Sequence, residues 1–192
     1  MFKSFFRPSK EQLIKNLGSS DNKVVLQAVE HLREQACFHD GTLCGLNLQR
    51  ANLQNARLAK AKLHEIVLEN ANLAGCYFGA AELLAARLGG ANLRDANLRE
   101  VNLTDADLSG ADLTGAHLAS ARLHRTLFSG AILQNANFWG AKLHGTNLMG
   151  AKLHGANFDN AEFDAATILP DGTSWTPEAD IMYFTHNGVA HE

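Results

Sequence analysis

Large apolar residues recur at every fifth position over most of this chain. From Leu43 to Ile168 the spacing holds at 26 consecutive positions, of which 20 are leucine. The residue two positions earlier is alanine in 19 of these units. On an α-helix a five-residue step turns by about 500°, so the leucines would scatter around the helix axis. On a strand, side chains alternate between two faces, so the leucines share one face only if the chain turns a corner in every repeat.

Departures from the repeat reveal a second period of 20 residues. Three sets of exceptions each fall in one class modulo 20: Leu46, Ile66, Thr126 and Thr146 in the alanine position, Phe78, Phe138 and Phe158 in the leucine position, and His64, His124 and His144 in an outward position. A side chain that departs from the consensus is expected to pack against a similar residue stacked directly above it. Four five-residue sides per coil explain the pattern. Residues 41–170 then form a rod of about 6.5 coils that is about 30 Å long, since neighbouring coils should lie about 4.8 Å apart.

The repeated unit has a recognisable consensus, Ala-(Asn/Asp)-Leu-x-x. It is seen in Ala91-Asn92-Leu93 and in Ala111-Asp112-Leu113. In this respect the chain from 41 to 170 resembles the pentapeptide-repeat family. The resemblance implies an all-β solenoid, a right-handed quadrilateral parallel β-helix with four pentapeptides per coil. It implies no active site, because the family shares none; its best understood branch resembles a rod of DNA and binds type II topoisomerases.

The flanking segments are predicted to close the two ends of this rod. Residues 1–40 are predicted to be an N-terminal α-helical cap, because Ser9 begins a capping box for a helix through Leu17 and Asp21 can cap a second helix. The second helix carries a single apolar stripe, formed by Val25, Ala28, Val29 and Leu32. Residues 171–192, after the turn at Pro170, are predicted to be a C-terminal capping segment and a frayed tail.

The composition is that of a globular protein, with 19% charged and 46% hydrophobic residues and a mean hydropathy of -0.15. The three cysteines are too few and odd in number for a disulfide framework, so we expect free thiols. No apolar run reaches the roughly 20 residues that span a bilayer, and the first residues lack the features of a signal peptide. We therefore expect a cytoplasmic protein with no membrane contact.

One outward surface gathers positive charge and histidine. It comprises Arg122, His124, Arg125, Lys142 and His144, and it is bordered by Glu162 and Asp164. We take this surface as the candidate for an acidic partner; a solvated face of mixed charge is the alternative. No aromatic residues interleave with the cations for base stacking, so we expect no nucleic-acid partner. His124 and His144 should project side by side, but two ligands do not make a zinc site, and we predict neither metal nor cofactor.

A second outward group is apolar. Leu127, Met149 and Leu169 should lie on one side of the last three coils, while Trp139 stands alone on the opposite side. Such a patch needs a cover. Either the segment containing Trp175 and residues 181–184 folds back over it, or two copies join through their C-terminal coils as a two-fold homodimer.

The chain shows no glycine-rich loop, nucleophile elbow or paired carboxylates, and an unbroken rod offers no cleft. We therefore predict that it is not an enzyme but a protein-binding or scaffolding module with a partner of unknown identity. The alternative is a DNA-mimicking inhibitor of a type II topoisomerase such as DNA gyrase. That role needs a dense acidic surface, whereas residues 41–170 hold 11 basic and 11 acidic residues.

Overall fold

The repeat region folds as a four-sided coil. The computed structural model describes residues 8–186; the first seven residues of the predicted cap and residues 187–192 of the predicted tail lie outside this range. Parallel single-residue bridges join residues 20 apart, from Asn47 and Val67 to Lys142 and Glu162. This confirms four pentapeptides per coil, while the handedness stays a prediction. We name the sides by their first segments: side A is 61–65, side B 66–70, side C 71–75 and side D 76–80, each continued at every 20th residue.

Each pentapeptide contains a tight turn that forms one corner of the coil. In the first coil, for example, the Ala51 N–H donates to the carbonyl of Leu48 at 3.0 Å. The third residue of the turn has a positive φ at all 24 such positions from 45 to 160, and ten of these residues are glycine. A turn with positive φ at its third residue is the type II geometry, which favours glycine and asparagine there. The glycines at the corners therefore indicate the turn type, which the spacing of the leucines does not reveal.

The alanine and leucine positions point inward and form one continuous core. Most are no more than 2% exposed, because each is covered by the equivalent residue of the next coil. Two of the three phenylalanines of side D stack as predicted, with the rings of Phe138 and Phe158 4.7 Å apart and nearly parallel; Phe78 lies three coils earlier and is not in this stack. Thr126 and Thr146, which replace alanine on side B, are fully buried, and their hydroxyls donate to the carbonyls of Leu103 and Leu143. The buried exceptions to the repeat are therefore packed or hydrogen bonded.

The five-residue register slips by one residue near the C-terminal end. Asn147 pairs with Ile168, 21 residues later. The slip begins at Asp164, whose carboxylate accepts the Gly145 N–H at 2.7 Å. At the equivalent site one coil earlier, the backbone N–H of Arg125 donates to the backbone carbonyl of His144. A side chain thus replaces the backbone acceptor and leaves room for one extra residue. The prediction that the register runs unbroken to Ile168 is therefore wrong, because Ile168 occupies the outward bridging position.

Both helices of the predicted N-terminal cap are present within its described residues 8–40. Helix α1 (Lys10–Leu17) begins after Ser9, whose hydroxyl accepts the Gln12 N–H, and α2 (Asn22–Glu34) begins after Asp21. The predicted stripe of α2 is buried in the same core cluster as the coils. The cap closes the apolar end of the rod, since without it the first layer of leucines would face water.

The cap also supplies hydrogen-bond donors to the backbone edge of the first coil. The Asn22 amide donates to the carbonyls of Asn52 and Gln54, each at 3.0 Å, and the Arg33 guanidinium donates to the carbonyl of Arg57. In later coils the equivalent carbonyls accept backbone N–H groups from the preceding coil. These side chains therefore satisfy acceptors that would otherwise form an open sheet edge.

Substitution of Asn22 tests this edge contact. Asn22→Asp keeps the size and suits the first turn of a helix, but a carboxylate cannot donate to the two carbonyls and repels them. We expect the free energy of unfolding to fall by about 1–3 kcal/mol in denaturant titrations. Lys23→Asp, which puts the same charge on the exposed neighbouring residue, should change stability by less than about 0.5 kcal/mol. Equal losses in the two variants would contradict the edge contact.

The C-terminal end is closed by a short return of the chain. After the turn at Pro170 to Gly172, Ser174 pairs with Ile168 in antiparallel fashion, and Trp175 stacks on Phe163 with ring centroids 5.8 Å apart. Helix α3 (Ile181–His186) follows, and the carbonyl of Thr185 accepts the Gly155 N–H. The aromatic residues of this segment therefore extend the phenylalanine stack and cover the last layer of the core.

Candidate functional site

The predicted basic surface is assembled on side A of the last three coils. Arg122, Lys142 and Glu162 follow one another in a single bridging column. In the adjacent turn column the rings of His124 and His144 lie 5.1 Å apart and tilted by 37°. The sequence period therefore placed these five residues together correctly. His64, of the same class, differs, because its Nε2 contacts the Glu82 carboxylate at 2.8 Å.

Most of the charge on this surface is neutralised within the rod. Arg125 binds Asp105 of the preceding coil through two hydrogen bonds of 2.6 and 2.7 Å, which lower the pKa of that carboxyl. The Lys142 ammonium lies 3.9 Å from the Glu162 carboxylate. Arg122 has no ion-pair partner within residues 8–186. The surface therefore has three guanidinium or ammonium groups and, counting Asp164, three carboxylates, so its formal charge with neutral histidines is zero.

The two histidines lie among these charged groups. Partial burial lowers the pKa of His124 below its ordinary value, and the nearby charges of His144, Lys142 and Arg125 lower it further. His144 Nε2 lies 3.7 Å from the Glu162 carboxylate. Within residues 8–186, no group of three histidine, cysteine or acidic side chains is arranged to hold a metal ion. The pair therefore lies among cations on the outer surface, where an anion can reach both rings.

The predicted apolar patch is only partly correct. Leu127 and Met149 are exposed on side B, by 41% and 53%. Leu169 is not part of this surface: it is 3% exposed, because the register slip turns it into the core and places Ile168 outward instead. The described part of the C-terminal segment covers the end of the core and leaves Leu127 and Met149 exposed. The patch on side B therefore consists of Leu127, Met149 and the half-buried Ile168.

Sequence reasoning overlooked a second exposed aromatic residue on side D. Tyr77 is 48% exposed and Trp139 is 49% exposed, so Trp139 is not alone on that side. Tyr77 occupies a bridging position that points outward, which the modulo-20 classes could have shown. The two lie three coils apart, so they do not form one contiguous patch.

Cavities are small or open in the described part of the chain. An enclosed apolar space lies between the cap and the first coil, lined by leucines such as Leu17 and Leu53. An open groove of about 470 Å³ follows the outer face of α2. The three cysteines are free, and burial raises the pKa of the Cys76 thiol to about 12, so it stays protonated and donates to the carbonyl of Leu53. None of the helices within residues 8–186 is long and apolar enough to cross a membrane.

Comparison with known proteins identifies the repeat. The model of the family described as pentapeptide repeats matches in eight copies, over residues 36–75, 61–99, 81–125, 96–135 and 131–168. No curated protein sequence matches the chain.

Three similar solved structures share the repeat. A pentapeptide repeat protein from the Arabidopsis thaliana thylakoid lumen is 25% identical over 58% of this chain and 71% of its own, with a TM-score of 0.40. HetL of the cyanobacterium Nostoc, involved in heterocyst differentiation regulation, is 24% identical over 75% and 97%, with a TM-score of 0.25. The plasmid-mediated fluoroquinolone resistance protein QnrB1 is 17% identical over 69% and 87%, with a TM-score of 0.28.

Proposed function

The chain belongs to the pentapeptide-repeat family, and on that premise we propose that it is a non-catalytic protein-binding rod. The fold uses two residues of each repeat for the core and one for the corner geometry, which leaves the remaining outward positions free to vary. The observation that carries the proposal is the apolar patch on side B. The residues one coil before Leu127 and Met149 are Asp107 and Ser129, so each apolar side chain of the patch follows a polar one in its column. Exposed apolar side chains grouped on a flat surface favour contact with another protein.

A second copy of this chain is one occupant that fits the patch. The patch lies in the last coils, so a two-fold axis beside the C-terminal end would bring two copies of Met149 together. Such a contact is self-complementary and closed, and it requires no charge pairing. The other possible partner is a different protein with an exposed apolar surface, and the experiment must be able to detect it as well.

Met149→Lys is the variant that tests the patch. We expect it to abolish association measured by light scattering at several concentrations, because a lysine ammonium would be placed in an apolar contact. Trp139→Lys changes an equally exposed apolar residue on the opposite side and should leave association unchanged. If the intact protein is monomeric, the same two variants are compared in capture of partners from host extract. Loss specific to Met149→Lys in either assay supports the patch; no difference between the variants in both assays refutes it.

The topoisomerase alternative receives no support from the surface charge. A mimic of DNA must present closely spaced negative charge. Here acidic side chains are paired with arginines of neighbouring coils, as in Glu69 with Arg87, and Asp112 with Arg94. We expect no inhibition of supercoiling by DNA gyrase, and no protection from quinolones, at micromolar protein. Inhibition in that range would reverse the order of the two proposals.

A further inference from the structure

The side A surface changes its net charge in the range where histidine titrates. With neutral imidazoles, Arg122, Arg125 and Lys142 are balanced by Asp105, Glu162 and Asp164. Protonation of His124 and His144 would give the same surface a formal charge of +2 on two rings that are 5.1 Å apart. Histidine is the side chain that makes this change between about pH 5 and 8.

The groups around the two rings favour a bound anion once the rings are charged. His124 has Thr104 below it and His144 above it in the turn column, Arg122 and Arg125 on its own segment, and Lys142 from the next coil. His144 has Glu162 at 3.7 Å, and the Asp164 carboxylate is held by the Gly145 N–H. The cations outnumber the free carboxylates around the doubly protonated pair, so their mutual repulsion is reduced by an external anion.

We propose that this surface is a docking site for an acidic protein segment whose affinity increases on acidification, with His124, His144 and Arg122 binding its carboxylates. The proposal rests on the proposed function as a protein-binding rod and names the chemistry of a partner. A peptide carboxylate is favoured over nucleic acid because no exposed aromatic side chain lies among these cations to stack on bases. Side A is flat and outward, so an extended acidic segment can lie along the rod over both rings.

Proton linkage fixes the sign of the effect. An acidic segment interacts more favourably with imidazolium than with imidazole, so binding favours the protonated form of the rings. Affinity therefore increases as the pH falls across the range in which histidine is ordinarily protonated, and complex formation takes up protons. Above that range Arg122 is the main unpaired cation on this surface, and binding is weak.

Calorimetric titration with an oligo-aspartate peptide tests the site on the full chain. We expect the affinity to be about tenfold higher at about pH 5.5 than at about pH 7.5, since a rise of one pKa unit on one imidazole corresponds to a factor of ten. The double variant His124→Gln and His144→Gln should remove this gain. His154→Gln, at the same repeat position on side C, should keep it.

A second variant tests the charge balance without the histidines. Asp105→Asn removes the carboxylate that pairs with Arg125 and keeps a side chain suited to its positive φ. It should raise the affinity for oligo-aspartate several-fold at about pH 7.5, where the lowered pKa keeps His124 neutral and the gain does not depend on its charge.

The possible outcomes separate this site from the proposed function. Equal affinity at both pH values, or a gain that survives in the double histidine variant, overturns the docking site. Binding of a single-stranded oligonucleotide of equal charge, without binding of oligo-aspartate, assigns the surface to a different class of partner and also overturns it. Neither result affects the Met149→Lys comparison on side B, so the protein-binding rod can stand or fail independently.

Discussion

Leu93→Asp should unfold the protein or leave it only marginally folded. Leu93 is 1% exposed in the middle of the rod, and the backbone bond from Leu93 to Asp112 joins it to the next coil. A carboxylate there would be surrounded by leucine and alanine with no cation to pair with it. We expect the free energy of unfolding to fall by about 4 kcal/mol or more, because an unpaired charge is forced into an apolar core.

A substitution of the same chemistry on the surface serves as the control. Gln134→Asp places the carboxylate at an outward turn position of side C, two coils later than Arg94. It should shift the thermal midpoint by no more than a few degrees, whereas Leu93→Asp should abolish the β-type circular dichroism at room temperature. If the Leu93→Asp variant has the same thermal midpoint as the wild type, the assignment of the leucines to the inside of the coil is wrong.

Phe138→Ala should produce the second largest loss of stability. The ring is fully buried and contacts Phe128 edge-on at 6.2 Å and Phe158 face to face at 4.7 Å. Its removal would leave a cavity between two coils that the rigid backbone ladder cannot close. We expect a loss of about 3–5 kcal/mol in denaturant titrations, made up of lost apolar burial, the cavity and two ring contacts.

The neighbouring residue provides a matched aromatic control. Trp139 is larger than Phe138 but is 49% exposed at an outward turn position. Trp139→Ala should lower the free energy of unfolding by less than about 1 kcal/mol. Similar losses for the two variants would contradict the assignment of adjacent residues to the inside and the outside of the coil.

On the side A surface, the sequence period predicts which residues are stacked but not which of them form ion pairs. The 20-residue period placed His144 above His124 and Lys142 above Arg122, because stacking depends only on register. It did not show that Arg125 is bound by Asp105. Ion pairs between coils depend on how long side chains bend across the surface, and several rotamers of an arginine are compatible with one backbone position. The net charge of the surface was therefore decided by side-chain packing.

In the patch on side B, the sequence period predicts two of the exposed residues correctly and fails for the third because of the backbone register. Its first two members, Leu127 and Met149, are exposed as the period predicted, since they precede the register slip. Leu169 follows the slip and is buried. A shift of one residue exchanges the inward and outward faces of everything after it. The slip depends on the Asp164 carboxylate replacing a backbone acceptor, and no feature of the repeat consensus marks that event.

The coil follows directly from the amino-acid sequence: its five-residue sides, its four-sided closure and the helices that cap its first layer. It could do so because each of these features is local and repeated, so that one consensus is tested at 26 positions along the chain. The folded chain is needed to show how the ladder of coils ends, which acidic groups neutralise the cations of side A, and which apolar residues remain outside. Each of those features occurs only once. They depend on contacts between residues about 20 positions apart, and these contacts are not repeated along the chain.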